Sequence, residues 1–191
     1  MKKLFVIIIL SLSFITSSKT DDIKNFEIDG ISLGESLLNY YSEKEIKKFK
    51  TTAYQNQTDE YFMISGAKGK SQEYEALYFH VKKGDDQYII HSLGGYIYYK
   101  NFNECLNKKK KVVNSLKSSF GNLKPRNYDY KYDWDLKSIA YISDFDFKNG
   151  AIRVYCVNWS EDTENKRSFA DNLSINISPD YFNEWLNKSI N

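Results

Sequence analysis

The chain has 191 residues, a single domain's length, with 27 Lys and Arg against 25 Asp and Glu. Lys2 and Lys3 fall in a leader, so 25 basic residues face 25 acidic ones after it, and net charge gives no footing for nucleic acid. Two histidines and two cysteines leave few side chains for acid–base, metal or thiol chemistry.

The two lysines precede an apolar run at 4–15 (LFVIIILSLSFI), which Thr16, Ser17 and Ser18 follow. That is the pattern of a secretory signal peptide over 1–18, cut at 18–20, with an apolar run too short to span a bilayer. Residues 19–191 are then expected to form one periplasmic or secreted domain with no membrane segment. After a polar lead-in, Leu33, Leu37, Leu38 and Tyr41 fall on one helical face, and Ser32 with Glu35 has the capping-box spacing. Ser42 with Glu45 repeats it ahead of Ile46 and Phe49. Together they predict an N-terminal helical brace over 32–49.

From Tyr61 the period changes to two, predicting strands at 60–66, 73–82 and 87–99, with a hairpin at Lys83–Asp86 and a bend at Gly94-Gly95. Pairing Lys82 with Gln87 places Tyr78, His80 and His91 on one face. Residues 101–120 read as a helix capped by Asn101, with Cys105, Val112, Val113 and Leu116 in its apolar stripe. Lys109 falls on that stripe and is expected to carry its ammonium outward. Residues 122–135 read as a loop, alternating aromatics and acids, in which 128–135 is an irregular edge strand with partly buried rings or a binding surface. Asn149-Gly150 then signals a type I′ hairpin between two strands. A charged loop at 160–167, a strand at 173–177 and a helix opened by Ser178-Pro179 complete the chain. The order, a helical brace and then βββα twice, predicts an antiparallel α+β fold with helices packed on one sheet face.

The cysteines are the strongest constellation. With Asn149-Gly150 as the turn, Phe147 pairs with Ile152, Phe145 with Val154 and Ser143 with Cys156, which aims Cys156 at the core. Cys105 faces the same interface from its helix, so in an oxidising compartment a Cys105–Cys156 disulfide is expected. Tyr128, Tyr130, Tyr132 and Trp134, interleaved with Asp133 and Asp135, are the candidate ligand surface, since rings beside carboxylates suit a saccharide or a peptide. His80, His91 and Tyr78 are the alternative, a small hydrolase face, and Glu75 beside the two histidines is the one metal set to weigh. No nucleophile elbow, phosphate loop or zinc-protease motif occurs.

FEIDGISLGESLLNYYSEKEIK at 26–47, the helix around 101–116 with Cys105, and VYCVNWS at 154–160 make the chain resemble a group of small exported proteins of AT-rich marine bacteria. The resemblance implies export and paired cysteines, and assigns no activity or site. The expectation is therefore a disulfide-stapled, exported, non-catalytic binding domain without cofactor, whose partner is an envelope protein or a small ligand. A structural envelope protein is a further alternative.

Overall fold

The computed structural model describes residues 22–51, 60–120 and 123–190. The expected leader and its cleavage positions lie outside the described residues. A 3-10 turn at Ile23–Asn25, capped by Asp22, leads into a two-stranded hairpin of β1 (Glu27–Ile28) and β2 (Ile31–Ser32). Asp29 and Gly30 between them both have positive φ, 58° and 74°, as a type I′ turn demands. The helical brace expected over 32–49 is thus helical only in part. A 3-10 turn at Leu37–Asn39 precedes α1 (Glu43–Phe49), which has the Ser42/Glu45 capping box. Glu35 does accept the Ser32 N–H, yet no helix follows, because Leu33 and Leu37 are buried against the core by a chain that turns twice.

Seven antiparallel strands form the main sheet: β3 (Tyr61–Ala67), β4 (Ala76–Lys82), β5 (Ile90–Tyr98), β6 (Arg126–Tyr132), β7 (Asp135–Phe147), β8 (Gly150–Asn158) and β9 (Asn172–Pro179). Their spatial order is β3-β4-β5-β9-β8-β7-β6. The helices are α2 (Phe102–Phe120), α3 (Glu161–Arg167) and α4 (Asp180–Ile190). The fold is α+β and mostly sheet, as expected.

One face is the core. Phe79, Leu93, Phe145, Val154 and Leu173 point into it and are buried beneath α2 and the N-terminal segment, where Phe26 meets Phe147 at 4.7 Å. Each such side chain contributes about 1.5–3 kcal/mol. The Cys105–Cys156 disulfide ties α2 to β8 on this face, with Cα atoms 6.1 Å apart. The element order suggests helices on one face; the structure divides them. α4 crosses the opposite face at one end, where Phe182 and Trp185 pack on Tyr61, and Phe182 on His80 at 4.7 Å.

The β7–β8 register differs from the sequence reading by two residues, which preserves the faces. Phe147 pairs with Gly150, Phe145 with Ile152 and Tyr141, not Ser143, with Cys156. The turn is Lys148-Asn149, without positive φ at Asn149 or Gly150. Gly150 is a strand residue because the backbone of β9 lies against it: a Cβ there meets the Ser178 carbonyl oxygen at 2.5 Å. Gly94 and Gly95 mark no bulge; they make room for the rings of Tyr78 and Tyr74 lying over β5. The bulge falls instead between His80 and Val81, where Val81 pairs with Ile90. Ser178 and Pro179 stay in β9, and α4 starts at Asp180. Lys109 turns inward and donates to Ser143 Oγ at 2.7 Å, half-buried, because Ser143 and Asn127 make a polar spot on the core face.

Candidate functional site

The face opposite α2 is left open over β9, β8, β7 and β6, and there the alternation that buries Val154 and Leu173 on one side presents aromatic rings on the other. A cavity of about 550 Å³ lies on it. Tyr96 and Tyr98 of β5 form one side. Tyr132 of β6, Trp159 just after β8, and Phe169 after α3 form the other. Tyr155, Val157 and Asn172 supply the floor. Six of the ten lining residues are aromatic and none is charged. The volume falls within the range of small-ligand sites.

The rings are ordered. Tyr132 stacks on Trp159 with centroids 4.9 Å apart and planes at 27°, and Trp134 lies against both, 5.8 Å and 26° from Trp159 and 5.4 Å and 46° from Tyr132. Phe169 closes on Trp159 at 4.8 Å, and the Arg167 guanidinium covers Trp134 at 4.4 Å. On the other side Tyr96 is near-parallel to Tyr98 (16°) and rests on Tyr78 at 4.7 Å, a contact that Gly94 permits. Burial pushes the Tyr98 and Tyr132 hydroxyls above their ordinary value, with Glu75 adding to Tyr98, so both remain protonated donors at neutral pH. Asn172, 6% exposed, donates through Nδ2 to the Ala170 carbonyl at 2.9 Å. Its Oδ1 has no hydrogen-bond partner among the described residues.

The structure treats the expected ligand surface unevenly. Tyr128, Tyr130 and Tyr132 alternate onto the open face of an edge strand, as the edge-strand reading of 128–135 has it, and Tyr132 reaches the cavity. Tyr130 packs edge-on to Tyr132 at 5.2 Å, and Trp134 is half exposed at the outer end of the stack. Tyr128 is drawn off: its hydroxyl donates to buried Asp144, which Arg153 also grips through Nε at 2.8 Å. Asp133 sits exposed at the β6–β7 turn. Asp135 is a structural hub that accepts from the hydroxyls of Ser138, Ser160 and Thr163, and those donors, Ser138 foremost, hold its carboxyl well below the usual carboxylate range. Through Ser160 the stretch 160–167, expected as a charged loop, is capped into α3.

Tyr96, Tyr98, Tyr155, Trp159, Phe169 and Asn172 were not singled out by sequence reasoning. The available signal was large rings at alternate strand positions on the face that an antiparallel sheet usually gives to solvent.

Tyr78, His80 and His91 do share this face. His80 and Tyr78 are almost wholly buried, however, beside Phe182 and against Ser174 respectively, so a substrate has no access to either. Burial drives the His80 imidazole down to about 3. His91 Nδ1 lies 2.9 Å from the Tyr181 hydroxyl. Among the described residues no three His, Cys, Asp or Glu side chains converge as a metal site, and Glu75 accepts the Tyr98 N–H. No helix among the described residues is long and apolar enough to cross a membrane. No protein-family model matches the chain, and no curated protein or solved structure matches it.

Proposed function

We propose that the protein is an exported binding module that captures a small ligand in the aromatic cavity without transforming it. The observation that carries this reading is the cavity itself: about 550 Å³, with six rings in its lining, on the part of the sheet face that α4 does not cross. Rings of this kind give much contact area at little conformational cost. No histidine, cysteine, serine–base pair or carboxylate lines it, so it offers contact and no general acid, base or activated nucleophile. Export is supported by the leader pattern at 1–18, by the disulfide and by the resemblance to small exported proteins of AT-rich marine bacteria. N-terminal sequencing of the protein recovered from periplasm should begin at residue 19, 20 or 21; a first residue of Met1 rejects the leader.

Trp134 and Trp159 are two of the three tryptophans, so intrinsic emission reports on the cavity. Titration with neutral oligosaccharides, short neutral peptides and small aromatic acids should give a saturable emission change with at least one class, abolished in Trp159→Ala. A folded protein that gives none with any class refutes the cavity as a binding site.

A further inference from the structure

Resting on that reading of the cavity, we infer that its ligand is a neutral saccharide, stacked on the ring series Tyr132–Trp159–Trp134 and discriminated by the buried amide oxygen of Asn172. Three observations converge. The first is charge. None of the ten lining residues is ionisable to a cation or a carboxylate, so a phosphate, sulfate or acidic ligand would lose its hydration without a counter-charge. Charged groups beside it are otherwise engaged: Arg167 lies over Trp134, Glu75 accepts the Tyr98 backbone N–H at 2.9 Å, and Asp171 accepts the Trp159 backbone N–H at 2.8 Å.

The second is shape. Tyr132, Trp159 and Trp134 form one compact group of rings, 4.9, 5.4 and 5.8 Å apart, that reaches from the cavity to the half-exposed Trp134. A pyranose presents a C–H face to such a ring and hydroxyls at its edge, and a longer sugar spans from the cavity to Trp134. A peptide strand is the poorer fit, because the floor strands β8 and β9 have neighbours on both sides and leave no free ladder to extend.

The third is the orphaned acceptor. Asn172 is more than nine-tenths buried at the cavity floor, and its Oδ1 has no partner among the described residues. Buried polar atoms in a folded protein are paired as a rule, and an exception at a cavity floor asks for a donor from outside. A sugar hydroxyl supplies it; a hydrocarbon or lipid chain leaves it empty. The protonated hydroxyls of Tyr98 and Tyr132 offer donors to the remaining sugar oxygens.

The test uses the full mature chain and calorimetric titration with the hexamers of maltose-, cellobiose- and chitobiose-type sugars. Hexa-galacturonate is the charged control and hexa-alanine the peptide control. At least one neutral hexamer should bind and hexa-galacturonate should not. Asn172→Ala should weaken binding about tenfold, the scale of one lost hydrogen bond to a buried group, while Asn172→Asp, which keeps an acceptor, recovers part of the loss. Should Asn172→Ala fail to fold, the exposed Trp134 still decides the matter, because Trp134→Ala should weaken the hexamer and leave the corresponding disaccharide unaffected. Binding of hexa-alanine alone, lost in Trp159→Ala, overturns the saccharide, and binding of hexa-galacturonate alone overturns its neutrality; either leaves the cavity standing. Sugar binding indifferent to Asn172→Ala overturns its role. No binding by any probe brings down the cavity reading itself.

Discussion

His80 shows what a single buried group does to pH dependence. Its imidazole, pressed against Phe182, has its pKa lowered by burial from 6.5 to about 3. As the pH falls, the unfolded chain takes up that proton first, so the contribution of neutral His80 is complete above 6.5. It is lost by about 1.4 kcal/mol per pH unit on the way down to the folded value. Replacing His80 by Phe removes this dependence. Urea midpoints measured at pH 7, 5.5 and 4 should therefore fall steeply for the wild type and less steeply for His80→Phe. Asp135 acts lower. Its folded carboxyl is held below 3.8, so its stabilisation is complete above that value and disappears only below it. Asp135→Asn should consequently weaken the protein at pH 7, by a margin that shrinks progressively as the pH is lowered below 3.8, read by the same unfolding measurement. Residue type alone made Asp135 look like a ligand group. What identifies it as an internal hub is the arrival of Ser160 and Thr163 from a distant part of the chain.

At the scale of elements, Gly150 carries a clear prediction. A Cβ at this position meets the Ser178 carbonyl oxygen at 2.5 Å and the Pro179 Cα at 2.7 Å, and both are backbone. Gly150→Ala should cost about 1–3 kcal/mol, the scale of overpacking, seen as a lowered thermal midpoint with the disulfide intact. Asn149-Gly150 was legible as a hairpin, but its glycine serves close approach instead of turn geometry. The pair that does use positive φ, Asp29-Gly30, carries the same kind of signal and was passed over because a capping-box spacing at Ser32 and Glu35 follows immediately. Strands β4, β5, β7 and β8 and helices α2 and α4 were legible from periodicity. β6 was legible only as an irregular edge strand, because the charges of RNYDYKY obscure its alternation of tyrosines. The cavity was half legible for the same reason. Tyr132 and Trp134 are near neighbours in sequence, whereas Tyr98, Trp159 and Asn172 meet only through strand order.

For the molecule as a whole, the two sheet faces divide the work. The face under α2 is stapled: the disulfide closes a separation of 51 residues, which the chain-entropy account equates with about 4 kcal/mol. The double variant Cys105→Ala/Cys156→Ala should lose about that much in urea unfolding at pH 7. Its emission titration should still saturate under conditions where it is folded, because the cavity lies on the other face. A loss of binding in the folded variant would mean that the faces are coupled.

The position of β9 sets the order in which this molecule can come into being. It is the last strand along the chain and the fourth of seven across the sheet, where it joins Leu93 of β5 to Ile152 of β8 through Ile177. A chain delivered amino end first therefore holds two separate half-sheets, each with an unsatisfied edge, until residues 172–179 arrive to bridge them. Asn172 comes with that bridge. Truncation ahead of it leaves both edges open, so a chaperone guarding this chain as it folds has two edges to shield and one late strand to wait for.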